Sequence, residues 1–206
     1  MHRCFDKWIK LVLFAVLMLT SACSNLNYSP SKEQNLKRYE ISLTQSLNKR
    51  LNPAGPNLLI YPLKANNLYN TVRIAYSTNA FEVSYYAQNE WADTPARLLF
   101  PLVIANMENT NLFSAVVSTG SSAISDLALD AELLTLIQKY QESSSKIILS
   151  VRIQLVDLRK RSIIGSETLT IEETAPSNDP YGAVVATNVA AGKLMEQMRN
   201  FVLQSI

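Results

Sequence analysis

The chain has 206 residues, of which 19 are basic, 17 are acidic, one is histidine and two are cysteine. His2 and Cys4 lie near the N-terminus, and the other cysteine is Cys23. From Cys23 onward the sequence therefore lacks the residues for a Ser-His-Asp or Cys-His nucleophile, for a zinc site of cysteine and histidine ligands, and for an intrachain disulfide.

The N-terminal segment has the pattern of a secretion signal. Three basic residues precede an apolar run over residues 11–19, which is too short to span a bilayer and is followed by small residues. We expect residues 1–22 to be removed by cleavage between Ala22 and Cys23. The mature chain would then have 184 residues with 16 basic and 16 acidic side chains. This balance argues against nucleic acid as a partner, because binding to phosphate backbones needs clustered Lys and Arg.

The cleavage site resembles the lipobox of bacterial lipoproteins, in which a signal peptidase cuts before a cysteine that is first diacylated on sulfur. Residues 19–23 read Leu-Thr-Ser-Ala-Cys, with Thr20 where leucine is usual. The alternative is an ordinary signal peptide with a chance cysteine near its end. Because two or more acyl chains hold a protein stably at a membrane, the resemblance predicts that Cys23 is an acylated membrane anchor. Ser24 resembles the outer-membrane default, since Asp there favours inner-membrane retention in enteric-type bacteria.

The mature chain divides into a tether and one folded domain. Residues 24–37 are rich in polar residues and have little apolar periodicity, which is typical of a flexible tether with a reach of roughly 20 Å. We therefore expect a lipidated tether over residues 23–37 and a folded domain over residues 38–206.

Alternating apolar residues predict seven strands in the folded part. Three of them should pair in an antiparallel manner in the second half of the domain. The expected strands lie near residues 39–44, 57–63, 72–76, 81–86, 127–133, 147–156 and 168–172.

Two helices are expected, and both begin with an N-cap side chain followed by proline. One should run over residues 95–109 behind a Thr94 cap, with a bend at Pro101 because proline removes a hydrogen bond inside a helix. The other should run over residues 180–204 behind an Asp179 cap, with an apolar face that packs on the sheet. The whole pattern predicts a single α+β domain, with two helices packed on a mixed, mainly antiparallel sheet.

Candidate catalytic groups are few. Ser143 and Lys146 have a Ser-Xaa-Xaa-Lys spacing, but a hydrophilic turn before a strand is the simpler interpretation. Glu172 and Glu173 are adjacent in a strand and should point to opposite faces. No glycine pattern for phosphate binding occurs. We therefore predict a protein that is not an enzyme and that needs no cofactor or metal ion.

Two features are candidates for contact with a partner. Tyr85, Tyr86 and Trp91 lie close together in the sequence, and aromatic rings are common anchors of protein interfaces; for Trp91, core packing is the competing interpretation. Residues 159–161 form the only basic triplet. The triplet predicts an exposed hairpin tip or, as the alternative, a contact with anionic lipid headgroups.

The segment around these aromatic residues resembles the ABC-type transport auxiliary lipoproteins. Residues 85–99 read Tyr-Tyr-Ala-Gln-Asn-Glu-Trp-Ala-Asp-Thr-Pro-Ala-Arg-Leu-Leu. They are similar to a family signature in which Trp-Ala-Asp/Glu leads into a helix that ends in an acidic residue before an aromatic-led strand. Glu108 and Phe113 occupy these two places. Residues 183–194 are similar to a family helix of the Ala-Val-Xaa-Ala-Xaa-Asn-Xaa-Ala type, and the resemblance extends over about residues 39–202.

The resemblance implies a periplasmic lipoprotein that accompanies an ABC transporter of the mammalian-cell-entry type, which moves phospholipid, sterol or related apolar molecules between envelope membranes. The chain would be a non-catalytic auxiliary component at the periplasmic face of the outer membrane. Its partners would be a mammalian-cell-entry domain protein and the ABC permease and ATPase.

Two other functions stay open at this point. The domain itself could carry lipid, which would need an apolar cavity. The chain could instead be an adaptor or regulator of a cell-wall enzyme, since that class shares the plan of anchor, tether and domain. The sequence also leaves open the transported molecule and whether the chain forms a homo-oligomer.

Overall fold

The structure is a computed structural model that describes residues 35–43, 52 and 54–206 of the chain. The described residues form nine strands and two α-helices, joined by turns and loops. Residues 36–206 form one compact unit. The predicted cleavage site, Cys23 and nearly all of the tether lie outside the described residues. The helices are α1 (Pro95–Glu108) and α2 (Pro180–Ser205). The strands are β1 (Lys37–Tyr39), β2 (Asn57–Ile60), β3 (Lys64–Ala65), β4 (Arg73–Ser77), β5 (Ser84–Trp91), β6 (Ala115–Ser118), β7 (Leu127–Tyr140), β8 (Ser145–Asp157) and β9 (Ser162–Thr174).

The long strand β7 organises the sheet. On one side it forms an antiparallel meander with β8 and β9. On the other side it pairs in parallel with three short strands in succession: β2 near its start, β3 in the middle and β4 near its end. Beyond β2 lies β6, and beyond β4 lie β5 and then β1. The predicted class, a single α+β domain with two helices and a mixed, mostly antiparallel sheet, is confirmed.

The core lies between the helices and one face of this sheet. Alternate residues of β8 point toward the helices, as the period-2 pattern predicts, and helix α2 packs on β8 and β9 with a face that is rich in alanine. The Asn106 side-chain amide donates a 2.7 Å hydrogen bond to the Met195 carbonyl and so joins the two helices. The buried residues of this layer include Ile147, Leu149, Val151, Ile153, Leu155, Ala183, Ala186, Ala190, Leu194 and Met198.

A β-bulge divides β7 into two parts. Odd-numbered side chains face the helices before the bulge, and even-numbered side chains face them after it. The register against β8 shifts between Leu133 and Thr135, so that one residue of β7 has no direct partner. Before the bulge, Leu133 stands opposite the buried Val151, whereas after it Gln138 stands opposite the buried Ile147. The inserted residue thus turns even-numbered side chains toward the helices. The alternation seen in the sequence stops at Leu133 for this reason.

The strand predictions need correction in two ways: two strands are added, and two predicted strands have other bounds. Strands β3 and β6 are added; two and four residues are too short to show a clear alternation. The first strand ends at Tyr39 instead of reaching residue 44. The strand expected over residues 81–86 is β5, which starts at Ser84 and runs to Trp91. The residues before Ser84 form a turn, which is closed by a hydrogen bond from Asn79 to the Glu82 carboxylate.

Both helices begin at the predicted proline, but only one of the two predicted caps forms. The Asp179 carboxylate accepts a 2.7 Å hydrogen bond from the Gly182 amide at the start of α2. Thr94 makes no side-chain cap for α1, so that prediction is wrong. Instead, the Thr94 amide donates to the carboxylate of Asp93, which also forms an ion pair with Arg97.

Helix α1 continues through Pro101 as a single helix to Glu108. Proline supplies no N–H for the carbonyl of Arg97, four residues earlier. Both residues are exposed, so this carbonyl faces solvent and needs no partner from the protein. The described helix therefore tolerates a proline that, on its buried side, would leave an unpaired carbonyl in the core.

Candidate functional site

Trp91 lies in the core and not on the surface. Its side chain is 2% exposed, and its backbone N–H donates a 2.6 Å hydrogen bond to the Val72 carbonyl. It ends β5 opposite Tyr39 of β1, immediately before the turn into α1. The core-packing interpretation of Trp91 is confirmed.

Tyr85 and Tyr86 are consecutive residues of β5 and reach different partners. The Tyr85 hydroxyl donates a 2.9 Å hydrogen bond to the Leu68 carbonyl, and the Arg73 guanidinium lies 4.2 Å from the centre of the Tyr85 ring. This cation–π contact belongs to a half-buried ring. The Tyr86 hydroxyl instead bonds side chains of β7. The three aromatic residues singled out in the sequence therefore do not form one surface.

Tyr86 belongs to a polar network that is enclosed between the sheet and the start of α2. Its hydroxyl lies 2.7 Å from Gln138 Oε1 and 2.6 Å from the Tyr140 hydroxyl, and its ring stacks on Tyr76 with 4.5 Å between centroids. Gln138 has no exposed surface, and its amide nitrogen donates to Ser145 Oγ at 2.8 Å. Burial, followed by the contacts with Tyr140, raises the pKa of Tyr86, which remains a neutral hydrogen-bonding group at physiological pH.

The same network reaches the cap of α2. The Gln138 amide nitrogen also contacts the Asp179 carbonyl at 3.3 Å, and the Tyr140 hydroxyl lies 3.3 Å from the Asn178 carbonyl. The backbone N–H of Gly182, the Ser177 hydroxyl and the charge of Lys37 lower the pKa of the Asp179 carboxyl, although partial desolvation opposes them. Strands β4, β5, β7 and β8 are thereby tied to one helix end. No sequence pattern singled out Gln138.

The turn between β4 and β5 presents an aromatic side chain to solvent at this end of the sheet. Phe81 is fully exposed and has a φ of 66°, in the left-handed region. Beside it lies a cleft of about 450 Å³, lined by apolar residues such as Tyr69 and Ile137 and by polar ones such as Glu82 and Lys139. The apolar pattern predicts a strand at Phe81 and gives no sign of this feature, because a left-handed backbone conformation leaves no mark in such a pattern.

The basic triplet lies at the turn between β8 and β9, as the hairpin interpretation predicts. Arg159 forms an ion pair with Asp126, and Lys160 lies 3.6 Å from the Asp157 carboxylate. Two of the three cations are thus paired with carboxylates. A hydrogen bond from the Asn57 backbone and the Arg159 contact lower the pKa of Asp126, which keeps its negative charge near the turn. This pairing weakens the case for anionic lipid headgroups at the triplet.

The remaining candidate groups are kept apart by the fold. Ser143 is exposed in a turn, whereas the Lys146 ammonium is 2.7 Å from the Glu172 carboxylate. Glu173 pairs with Lys193 of α2 on the opposite face of β9. Among the described residues there is no group of three or more His, Cys, Asp or Glu side chains that could hold a metal ion.

No helix within the described part of the chain is long and apolar enough to cross a membrane.

The sequence matches the profile of one protein family. The profile of the ABC-type transport auxiliary lipoprotein component covers residues 39–199, which include both cap motifs, Trp91 and the polar network. The chain belongs to this family. Members of this family are auxiliary lipoprotein components of ABC-type transport systems, which places the chain in the cell envelope. No curated protein sequence matches the chain significantly.

Solved structures show the same fold at low sequence identity. A Xanthomonas campestris protein of the family DUF330 is 18% identical, with a TM-score of 0.72 over 82% of this chain and 95% of that chain. An uncharacterized protein is 12% identical, with a TM-score of 0.64 over 82% of this chain and 99% of that chain. At these identities the similarity concerns the fold alone.

Proposed function

We propose that this protein is a non-catalytic auxiliary lipoprotein of a lipid transport system of the mammalian-cell-entry type. In this proposal Cys23 is the acylated N-terminus, and the domain is held at the periplasmic face of the outer membrane. The partners are a mammalian-cell-entry domain protein and the ABC permease and ATPase, which hydrolyses ATP. The family match over residues 39–199 is the observation that carries this proposal.

The open face of the sheet supports a role without a chemical step. Acidic and basic side chains on this face pair with each other across neighbouring strands. Lys64 lies 3.1 Å from the Asp130 carboxylate, and Arg152 pairs with Glu132. Each of these carboxylates is held by a neighbouring cation and is therefore poorly placed to transfer a proton to a substrate.

Two clefts of the described domain favour an adaptor over a carrier of lipid. The cleft beside Phe81 contains Glu82 and Lys139 in its lining. A second cleft of about 550 Å³ at the other end of the sheet contains Asp126, Asp157 and Arg159. An acyl chain in either cleft would displace water from charged groups without replacing their hydrogen bonds. We therefore assign the transported lipid to the partner subunits.

The contact with the partners is proposed to include Tyr85 and the adjoining part of β5. Tyr85 is half-buried, and Ala87 and Gln88 beyond it are exposed. The pairing of β4 with β5 is irregular there, because the partner of Arg73 is Glu90 whereas that of Ala75 is Tyr85. The irregular segment leaves backbone groups outside the ladder, where a partner could bind them. Tyr86 and Trp91, in contrast, act within the domain.

Mass spectrometry of the protein purified from its native envelope tests the anchor. We expect an N-terminal Cys23 that carries acyl chains, and we expect the Cys23→Ala variant to lose this modification and its membrane attachment. A mature protein with an unmodified Cys23, or with cleavage elsewhere, would contradict the anchor.

Affinity purification tests the partners. A C-terminally tagged chain should copurify with a mammalian-cell-entry domain protein and with a permease and ATPase after mild solubilisation of the envelope. The Cys23→Ala variant is the control that separates membrane attachment from protein contact, since its domain is unchanged. Recovery of a cell-wall enzyme in place of the transport subunits would favour the adaptor of cell-wall synthesis.

A further inference from the structure

We propose that the turn between β4 and β5, residues 78–83, is a second membrane contact in which Phe81 inserts into the headgroup region of the bilayer. This inference rests on the proposed function, because it requires the acyl anchor at Cys23 to hold the domain beside that bilayer. The expected ligand is the lipid surface itself. The contact would fix which end of the domain faces the membrane.

The conformation of Phe81 indicates that the fold does not require phenylalanine at this position. Its side chain is fully exposed, and its φ of 66° lies in a region that disfavours bulky side chains. Glycine or asparagine adopts this conformation more readily. An exposed aromatic ring at a strained position stabilises nothing that is visible within the domain, which points to a contact outside it.

Hydrogen bonds within the turn fix its backbone beside Phe81 and satisfy the carboxylate of the adjacent Glu82. The Glu82 carboxylate accepts hydrogen bonds from Asn79 at 2.8 Å and from Ser84 at 3.3 Å. The Ser77 hydroxyl donates to the Asn79 carbonyl at 2.6 Å. These bonds fix the turn at the end of β4, and they offset part of the cost of bringing a carboxylate close to lipid. Phenylalanine is among the residues that bury at the boundary between headgroups and acyl chains.

The direction of β1 places the predicted anchor on the same side of the domain as Phe81, so the surface that Phe81 contacts is a bilayer. Strand β5 begins at Ser84, directly after the turn, and runs away from it. Strand β1 runs parallel to β5, with Lys37 opposite Asn89. The chain that leads from Cys23 therefore enters the sheet from the side of the turn. Lys37 lies five residues back from Ser84, about 17 Å along the strand. The tether that the sequence predicts between Cys23 and Lys37 would reach roughly 20 Å as a random coil, which is enough for the turn to touch the membrane that holds the anchor.

Ile124 provides a matched control at the opposite end of the sheet. Its side chain is 86% exposed in the loop between β6 and β7, beside the start of β7. The turn with Phe81 follows Ser77, which pairs with Lys139 near the end of β7. The two apolar side chains are therefore separated by about 40 Å along this strand. A domain that rests on its Phe81 end keeps Ile124 away from the lipid.

Quenching of tryptophan fluorescence by brominated lipid tests the contact. The acylated mature chains, beginning at Cys23 and carrying Phe81→Trp or Ile124→Trp, are reconstituted into vesicles of phosphatidylethanolamine and phosphatidylglycerol, with and without acyl chains dibrominated near the headgroup. Both variants retain the buried Trp91 as a common background. We expect bromination to lower the added emission of the Phe81→Trp variant at least twofold and to leave the Ile124→Trp variant unchanged. Equal quenching of both variants, or of neither, would overturn the inference.

Sedimentation with the same vesicles separates this inference from the proposed function. If the wild-type chain does not sediment with vesicles, or if Cys23→Ala sediments equally well, the anchor fails and the inference fails with it. If only the acylated chain sediments but the Phe81→Trp variant is not quenched, the anchor stands and the second contact is overturned. In that case, loss of copurified transport subunits from a Phe81→Ser variant would assign the turn to a protein partner.

Discussion

Gln138 Oε1 accepts a 2.7 Å hydrogen bond from the Tyr86 hydroxyl, at a position where Gln138 has no exposed surface. The amide nitrogen of the same side chain donates to Ser145 and contacts the Asp179 carbonyl. A buried amide is tolerated only when its hydrogen bonds are made, because an unpaired polar group in the core loses its solvation without replacement. The network therefore fixes the end of β7 against the start of α2.

Replacing Tyr86 by phenylalanine should destabilise the domain by about 1–3 kcal/mol, since it leaves the buried Gln138 oxygen without its donor. Chemical denaturation of the variant and the wild type measures this difference. The matched control is Tyr85→Phe, because the hydroxyl of Tyr85 bonds an exposed carbonyl that water can serve instead. Equal losses of unfolding free energy for the two variants would show that the enclosed network stabilises the domain no more than an exposed hydrogen bond does.

The sequence predicts those elements whose ends depend on residues that are adjacent in the chain. The Asp179-Pro180 pair marks the start of α2, because a carboxylate and a proline act on the first helical turn alone. Likewise, the alternation of β8 follows from its burial on one face. These features depend on neighbours in sequence, so a single chain is enough to recognise them.

The bulge and the network could not be predicted because they depend on partners far along the chain. The shift after Leu133 exists only relative to β8, and it decides that Gln138 and not Lys139 faces the helices. Similarly, Thr94 has a good residue type for a cap, but its side chain makes no cap hydrogen bond, and the Arg97 amide bonds the Thr94 carbonyl instead. The position of Phe81 was misassigned because a left-handed backbone residue does not alter an apolar pattern.

Trp91→Ala should lower the free energy of unfolding by about 3–5 kcal/mol, because truncation of a large buried aromatic residue leaves a cavity. Trp91 is 2% exposed, so it buries most of the roughly 150–250 Å² of surface of a large aromatic side chain. Thermal or denaturant unfolding, together with the accumulated amount of the protein in cells, measures the effect. Trp91→Phe serves as the control and should lose less. A normally stable Trp91→Ala protein would contradict the core assignment.

Asp179 should contribute to stability in a pH-dependent manner. Asp179→Ala removes the acceptor for the Gly182 amide and should cost about 0.5–2 kcal/mol, whereas Asp179→Asn keeps an acceptor and should cost less. The pKa of the Asp179 carboxyl is lowered in the folded state from its ordinary value of 3.8. Its ionised form therefore stabilises the fold above that value, and the contribution is lost as the pH falls through the lower folded-state pKa.

Denaturation curves from pH 7 down to pH 3 measure this dependence. The difference in unfolding free energy between the wild type and Asp179→Asn should be constant near neutral pH and should shrink below about pH 4. A difference that grows on acidification would mean that the folded state favours the protonated carboxyl, contrary to the hydrogen bond from Gly182.

Phe81→Gly should leave the domain as stable as the wild type or make it more stable by up to about 1 kcal/mol. Glycine removes the strain of a side chain at φ 66°, which is worth roughly 1–2 kcal/mol, but it adds flexibility to the unfolded chain that offsets about half of this gain. Denaturant unfolding of the Cys23→Ala protein, with and without Phe81→Gly, measures the difference. Phe113→Ala is the contrasting variant, since Phe113 is 3% exposed and its truncation should cost about 3–5 kcal/mol. A loss of more than about 1 kcal/mol for Phe81→Gly would show that the ring packs on the domain itself, and Phe81 would then no longer be free to meet a membrane.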